Sequence, residues 1–130
     1  MKQAFANAWK SSKNRRKQRK YIANAPLHIR GRFLHTHLAK ELMKKFGLRS
    51  IRARKGDKVK IMVGQYKGKT GTVESVDIDN TKLLIDTASS TKRDGSKAYY
   101  PIHPSNVQIQ ELSLDDARRQ KHMKKTDGKQ

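Results

Sequence analysis

With 130 residues, 34% of them hydrophobic and 32% charged, the chain is sized for one domain with a small core. Its formal charge of +20 is lopsided: residues 1–55 hold 17 Lys/Arg against the single acid Glu41, a net +16, and residues 56–130 hold 14 against 10 acids, a net +4. Such an excess repels itself and implies a polyanionic partner, while no apolar run approaches the roughly 18 residues of a membrane span. Met1 to Trp9 is too short and interrupted for a signal-peptide core, and without cysteine there are no disulfides or thiol ligands. The expectation is a cytosolic protein that binds nucleic acid, with no membrane and no small-molecule substrate among its partners.

Residues 1–25 read as a basic RNA-binding arm without regular structure. Lys10, Lys13, Arg15, Arg16, Lys17, Arg19 and Lys20 carry seven cations with no acid among them, and Ser11, Ser12 and Asn14 favour no regular element. Such a run buries too little apolar surface to offset its ordering entropy. A solvated tail or a nuclear-localisation signal has the same composition; the rest of the chain points to RNA, which would order the arm.

Residues 26–50 turn helical. Leu34, Leu38, Leu42 and Phe46 recur at i+4, with Leu27 one heptad before Leu34. Pro26 suits a first turn, and Lys44 and Lys45 suit the negative end of the dipole just before a Gly47 cap. Gly31 weakens the middle and Thr36 can restart the helix, which leaves one helix or two short ones. The apolar stripe is core. The basic side, with His28, Arg30, Arg32, Lys44 and Lys45, is aimed at phosphate, and Arg49, Arg52, Arg54 and Lys55 carry the same charge toward the next module.

Residues 51–112 form a β module. Val59, Ile61 and Val63 alternate with Lys58, Lys60 and Met62, the period of a half-buried strand. Strands are expected near Lys58–Val63, Thr70–Asp77, Lys82–Asp86, Ala98–Ile102 and Val107–Gln110. Inward parity switches between Val73 and Val76, which predicts a β-bulge near Ser75. Asn80 marks a turn, and Asp94-Gly95 signals a hairpin. Five short strands suit a small closed barrel of the SH3-like kind, so the fold class is mainly β. In residues 113–130, Ser113 is expected to cap a short C-terminal helix with Asp115 and Asp116 in its first turn and cations later, ending in a frayed tail.

The first two strands enclose the most informative segment. Gly64, Gln65, Tyr66, Lys67, Gly68 and Lys69 place glycines, amides and cations in one loop, which suits phosphate contact without a reaction. A nucleotide-binding P-loop needs four residues before its Gly-Lys-Thr ending and a helix after it. Here Gly64 and Gly68 enclose three, and a β-branched strand follows. Tyr66, at the tip, is the ring best placed to stack on a base; Tyr99 and Tyr100, adjacent on a strand, point one inward and one outward. His103, Ser105 and Asn106 lie in a Pro-Ile-His-Pro-Ser-Asn run held extended by its prolines and are read with the RNA contacts. His28, His35 and His37 have no cysteine or nearby acid to complete a metal site, and no serine sits in a nucleophile elbow. Catalytic residues, metal and cofactors are expected to be none.

Arg54-Lys55-Gly56-Asp57, the alternating strand, Gly64-Gln65-Tyr66-Lys67-Gly68-Lys69-Thr70-Gly71 and Val73 together resemble the KOW motif of RNA-binding SH3-like barrels, which ribosomal proteins and transcription elongation factors share. The flanks Asn24-Ala25-Pro26-Leu27-His28-Ile29-Arg30, Lys40-Glu41-Leu42, Lys45-Phe46-Gly47-Leu48-Arg49-Ser50 and Ile102-His103-Pro104-Ser105-Asn106-Val107 narrow it. They look like the family of the universal large-subunit ribosomal protein twenty-four in its archaeal form, whose eukaryotic counterpart is numbered twenty-six. The likeness runs from about Lys13 to Arg119. It implies binding to the 5′ domain of large-subunit rRNA, early entry into assembly, and a place near the nascent-chain exit beside other large-subunit proteins, with no enzymatic activity. Ala39 stands where relatives often carry Ser or Thr, and His37 near where they often carry Pro, so the helix start shifts here. An elongation factor of the bacterial antiterminator type also carries a KOW barrel, but it needs an upstream α/β domain that these basic residues are too few to build. A DNA-coating protein is allowed by charge alone.

Overall fold

In the computed structural model, which describes residues 5–9 and 11–127, the basic arm is not without structure. After a 3-10 turn at Asn7–Trp9, helix α1 spans Arg15–Asn24. Asn14 supplies the cap, its side chain accepting from the Arg16 amide at 3.0 Å. Arg, Lys and Gln are good helix formers, and the helix stops where Ala25, preceding Pro26, turns extended (φ −61, ψ 133). Composition pointed the other way because α1 has no buried residue. It is held at its end by Tyr21, whose ring meets Phe5 at 4.8 Å and Phe33 at 6.1 Å.

The leucine stripe belongs to two helices and an unforeseen strand: α2 (Leu27–Phe33), β1 (His35–Leu38) and α3 (Lys40–Phe46). Leu34 and Leu38 are fully buried, and Leu42 and Phe46 pack against the same core. Leu27, read as the start of the same stripe, is instead 63% exposed at the first turn of α2. The other four point inward as expected, although a helical period was read through β1. There the alternation is exposed His35, buried Thr36, exposed His37, buried Leu38. Pairing on both sides holds this strand extended, antiparallel to β2 (Ser50–Arg52) and parallel to β7 (Val107–Glu111). The Gly47 cap is as expected: φ is +62 and its amide donates to the Met43 carbonyl.

The other strands are β3 (Lys58–Ile61), β4 (Thr70–Asp77), β5 (Lys82–Thr91) and β6 (Lys97–Ile102). All seven join in the order β2-β1-β7-β3-β4-β5-β6. The fold is mainly β, but the closed five-stranded barrel is corrected to an open seven-stranded sheet. The second edge of β7 is taken by β1, and among the described residues no ladder joins β2 to β6. The bulge near Ser75 is present, as a register shift between Val73 and Ser75 where β4 leaves β3 and pairs β5. β5 runs past its expected end because its inward parity changes between Ile85 and Ala88, which masks the continuation. Gly71 permits the crossing, since a Cβ there would collide with the Asp86 carboxylate.

Val59, Ile61, Val73, Leu83, Ile85, Val107 and Ile109 lie at the centre of the core, joined by Leu38 of β1, Ile51 of β2, Ala88 of β5 and Ile102 of β6; each of the large aliphatic side chains contributes about 1.5–3 kcal/mol on burial. A polar clamp crosses this core. Asp57 is fully buried and takes both arms of Arg119, at 2.6 and 2.7 Å. It also accepts from the Arg54 amide at 2.9 Å and the Ser113 amide at 3.0 Å. This ties helix α4 (Ala117–Asp127) to the turn before β3. The α4 cap is Asp116, which accepts from the Arg118 amide at 2.8 Å, and not Ser113, whose amide is held by Asp57 and whose hydroxyl donates to Asp115.

Candidate nucleic-acid interface

The glycine loop closes between β3 and β4 with four backbone bonds. The Gly68 amide donates to the Ile61 carbonyl at 2.8 Å, the Ile61 amide to Lys69 at 2.9 Å, the Lys67 amide to Gly64 at 3.1 Å, and the Lys69 amide to Tyr66 at 3.2 Å. Gly64 (φ +104) and Gly68 (φ +85) occupy conformations that side chains resist. Lys67 and Lys69 are exposed at the tip. Tyr66 is not the free ring expected: it is half-buried against the core, 5.7 Å from the Tyr100 ring, with the Lys69 ammonium 5.2 Å from its centroid. Tyr100, 54% exposed, is the more accessible surface for a base, and Tyr99 is half-buried.

The tertiary structure brings the loop against the His103 segment. The Met62 amide donates to the Asn106 carbonyl at 2.8 Å. A cleft of about 170 Å³ runs between Gly64, Gln65 and Tyr66 on one wall and His103, Asn106, Tyr100 and Lys82 on the other. His103 caps the 3-10 turn Pro104–Asn106, its Nδ1 accepting from the Ser105 amide at 3.2 Å and lying 2.7 Å from the Ser105 hydroxyl. Partial burial, and then the charge of Lys82, hold the imidazole below its usual value of 6.5. Ser105 is exposed beside it. Lys82 was missed in the sequence, where it reads as an ordinary strand-start lysine.

The remaining predicted cations fall into two groups. In the arm, Lys13, Arg15, Arg16, Lys17, Arg19 and Lys20 are exposed, whereas Lys10 lies outside the described residues. Arg15 and Arg19, and Arg16 and Lys20, are like charges four apart on a helix, an arrangement that destabilises it unless an anion intervenes. The second group surrounds α2, α3 and β2. His28, Arg32, Lys44, Lys45, Arg49, Arg52, Arg54 and Lys55 are exposed. Arg52 lays its guanidinium over Gly31, where a Cβ would come within 2.8 Å of it, so this mid-helix glycine serves close approach. Arg54 pairs with Asp116, and Lys45 lies 5.3 Å from the Phe46 ring centroid. Arg30 is turned inward. It pairs with Asp79 at 2.9 Å and donates to the Ala23 and Ala25 carbonyls at 2.8 and 2.9 Å, which makes it a latch between the α1–α2 corner and the β4–β5 turn.

The arrangement offers cations and oriented amides on several faces. Among the described residues no cluster of three or more His, Asp or Glu could hold a metal. Comparison with known proteins gives a consistent answer. A family described as the eukaryotic L26 and archaeal L24 ribosomal proteins matches residues 12–126. The large ribosomal subunit protein uL24 of Methanosphaera stadtmanae is 51% identical over 108 residues, which cover 83% of this chain and 92% of that relative.

Proposed function

This chain belongs to the family of eukaryotic L26 and archaeal L24 ribosomal proteins, and on that premise we propose that it binds the 5′ domain of large-subunit rRNA through α1, the glycine loop and the cleft beside His103. Membership makes it a non-enzymatic constituent of the large ribosomal subunit in the cytoplasm, associated with ribosomal RNA and other ribosomal proteins. Early entry into assembly and a position near the nascent-chain exit belong to the same proposal. So does the reading of β3, the glycine loop and β4 as a KOW-type module, here carried on an open sheet.

The observation that carries the RNA reading is the exposed, like-charged spacing on α1. Neutralising RNA phosphates relieves that repulsion and releases counterions. At the glycine loop, Lys67 and Lys69 supply charge, and the positive-φ glycines keep the backbone bare enough for a phosphate to approach. The test is whether the protein cosediments stoichiometrically with salt-washed large subunits and prefers a 5′-domain transcript to transcripts of other domains. Equal, salt-sensitive binding to any duplex, DNA included, would overturn it in favour of a nonspecific coating protein.

A further inference from the structure

His35 of β1 and Arg52 of β2 face each other directly across the ladder, both on its exposed side. Helix α4 lies alongside. Arg119 and Met123, four apart, are buried toward the core, so Arg118 and His122, also four apart, share the adjoining strip. Between helix and ladder is a cleft of about 250 Å³ lined by Ile51 and by His35, Arg52, Arg54, Arg118, Arg119 and His122, with no carboxylate among the described residues of its wall. Within this wall Arg119 is held by Asp57 and Arg54 pairs with Asp116. A second opening of about 510 Å³ shares Arg52 and Arg54 and adds Lys55, with Glu74 also in its lining. Together they form a basic trough that continues past the cleft.

We propose that the cleft between α4 and the β1–β2 ladder is a second seat for an RNA backbone phosphate, held by His35, Arg52, Arg118 and His122 and distinct from the glycine loop. This rests on the RNA-binding reading above. The Arg119–Asp57 clamp fixes α4, so the seat is built before RNA arrives. Arginine forks match phosphate oxygens, and a trough running on from the seat suits a polymer better than an isolated carboxylate. His35 faces Arg32 from α2, Arg52 and Arg54 from β2 and the turn after it, and Arg118, Arg119 and His122 from α4; the nearby acids Asp57 and Asp116 are paired. Burial first, and then Arg52, His122 and Arg32, hold His35 below its usual 6.5. A bound phosphate reverses that local field, so binding carries proton uptake.

The experiment titrates a 5′-domain rRNA transcript with the full chain and with the Arg118→Gln/His122→Gln variant, at several salt concentrations and at pH 6 and 8. The variant should keep its urea midpoint, bind more weakly, and lose about 0.7 to 0.9 from the log–log salt slope for one phosphate. It should also lose part of the wild-type gain in affinity at pH 6. If the double variant shifts its urea midpoint, His35→Gln on the opposite wall decides by the same readouts. A variant with wild-type slope and pH response overturns the seat and leaves the RNA reading standing, whereas a wild-type chain that does not bind the transcript overturns both. Polyglutamate titrated in parallel supplies the remaining outcome: weaker binding of the variant to polyglutamate but not to RNA would assign the cleft to an acidic protein and overturn the phosphate assignment.

Discussion

Replacing Arg119 with Met removes one half of a buried ion pair. The side chains of Arg119 and Asp57 are 3% and 0% exposed, and their two bonds are 2.6 and 2.7 Å long. After Arg119→Met, Asp57 keeps the Arg54 and Ser113 amides but loses its only matching charge among the described residues. Breaking such a pair from one side costs about 3–5 kcal/mol, against a total of about 5–15 kcal/mol for a typical domain. If α4 undocks and water reaches Asp57, the cost falls to the lower end and α4 amides lose protection instead. Arg119→Lys keeps the charge without the fork and should lose less. The assay is urea unfolding by linear extrapolation, with hydrogen exchange read across Ala117–Met123. Arg119→Met within about 1 kcal/mol of wild type, with α4 amides still protected, would refute the view that this clamp fixes the helix.

At the glycine loop, Gly68→Val should lower the melting temperature because φ there is +85. Lys67→Gln/Lys69→Gln should stay within about 0.5 kcal/mol of wild type yet flatten the RNA salt slope by roughly 0.7 to 0.9 for each phosphate no longer neutralised. Gly71→Ala drives a Cβ onto the Asp86 carboxylate and should destabilise by about 1–3 kcal/mol, measured by urea unfolding. His35 and His103 are both held below 6.5 in the folded chain, so the unfolded chain binds the proton more readily. Their contribution is complete above 6.5 and is lost as pH falls through that value toward the folded pKa values; melting temperature should drop over this range, and His35→Gln/His103→Gln should flatten the drop.

The strands of the β module were legible because their partners sit on a period of two, and β3, β4, β6 and β7 begin or end close to where alternation places them. The Ser75 bulge was readable from a parity change, and the Gly47 cap from local chemistry that needs no distant partner. Basic character also lies in composition, so the exposed cations of α1, the glycine loop and the α2–β2 region could be named from sequence. Tertiary structure decided what depends on neighbours far along the chain. β1 is a strand because β2 and β7 offer it ladders, although Leu38 with the flanking Leu34 and Leu42 fits a helical period equally well. Tyr66 is half-buried because Tyr100 and the core receive it, and Arg30 serves the fold because Asp79 lies opposite. Arg119 looks like one more cation on a polar helix until Asp57, 62 positions earlier, is found beneath it. Local sequence sets conformational preference and charge; which charges face solvent and which face each other is set by contacts between residues remote in sequence.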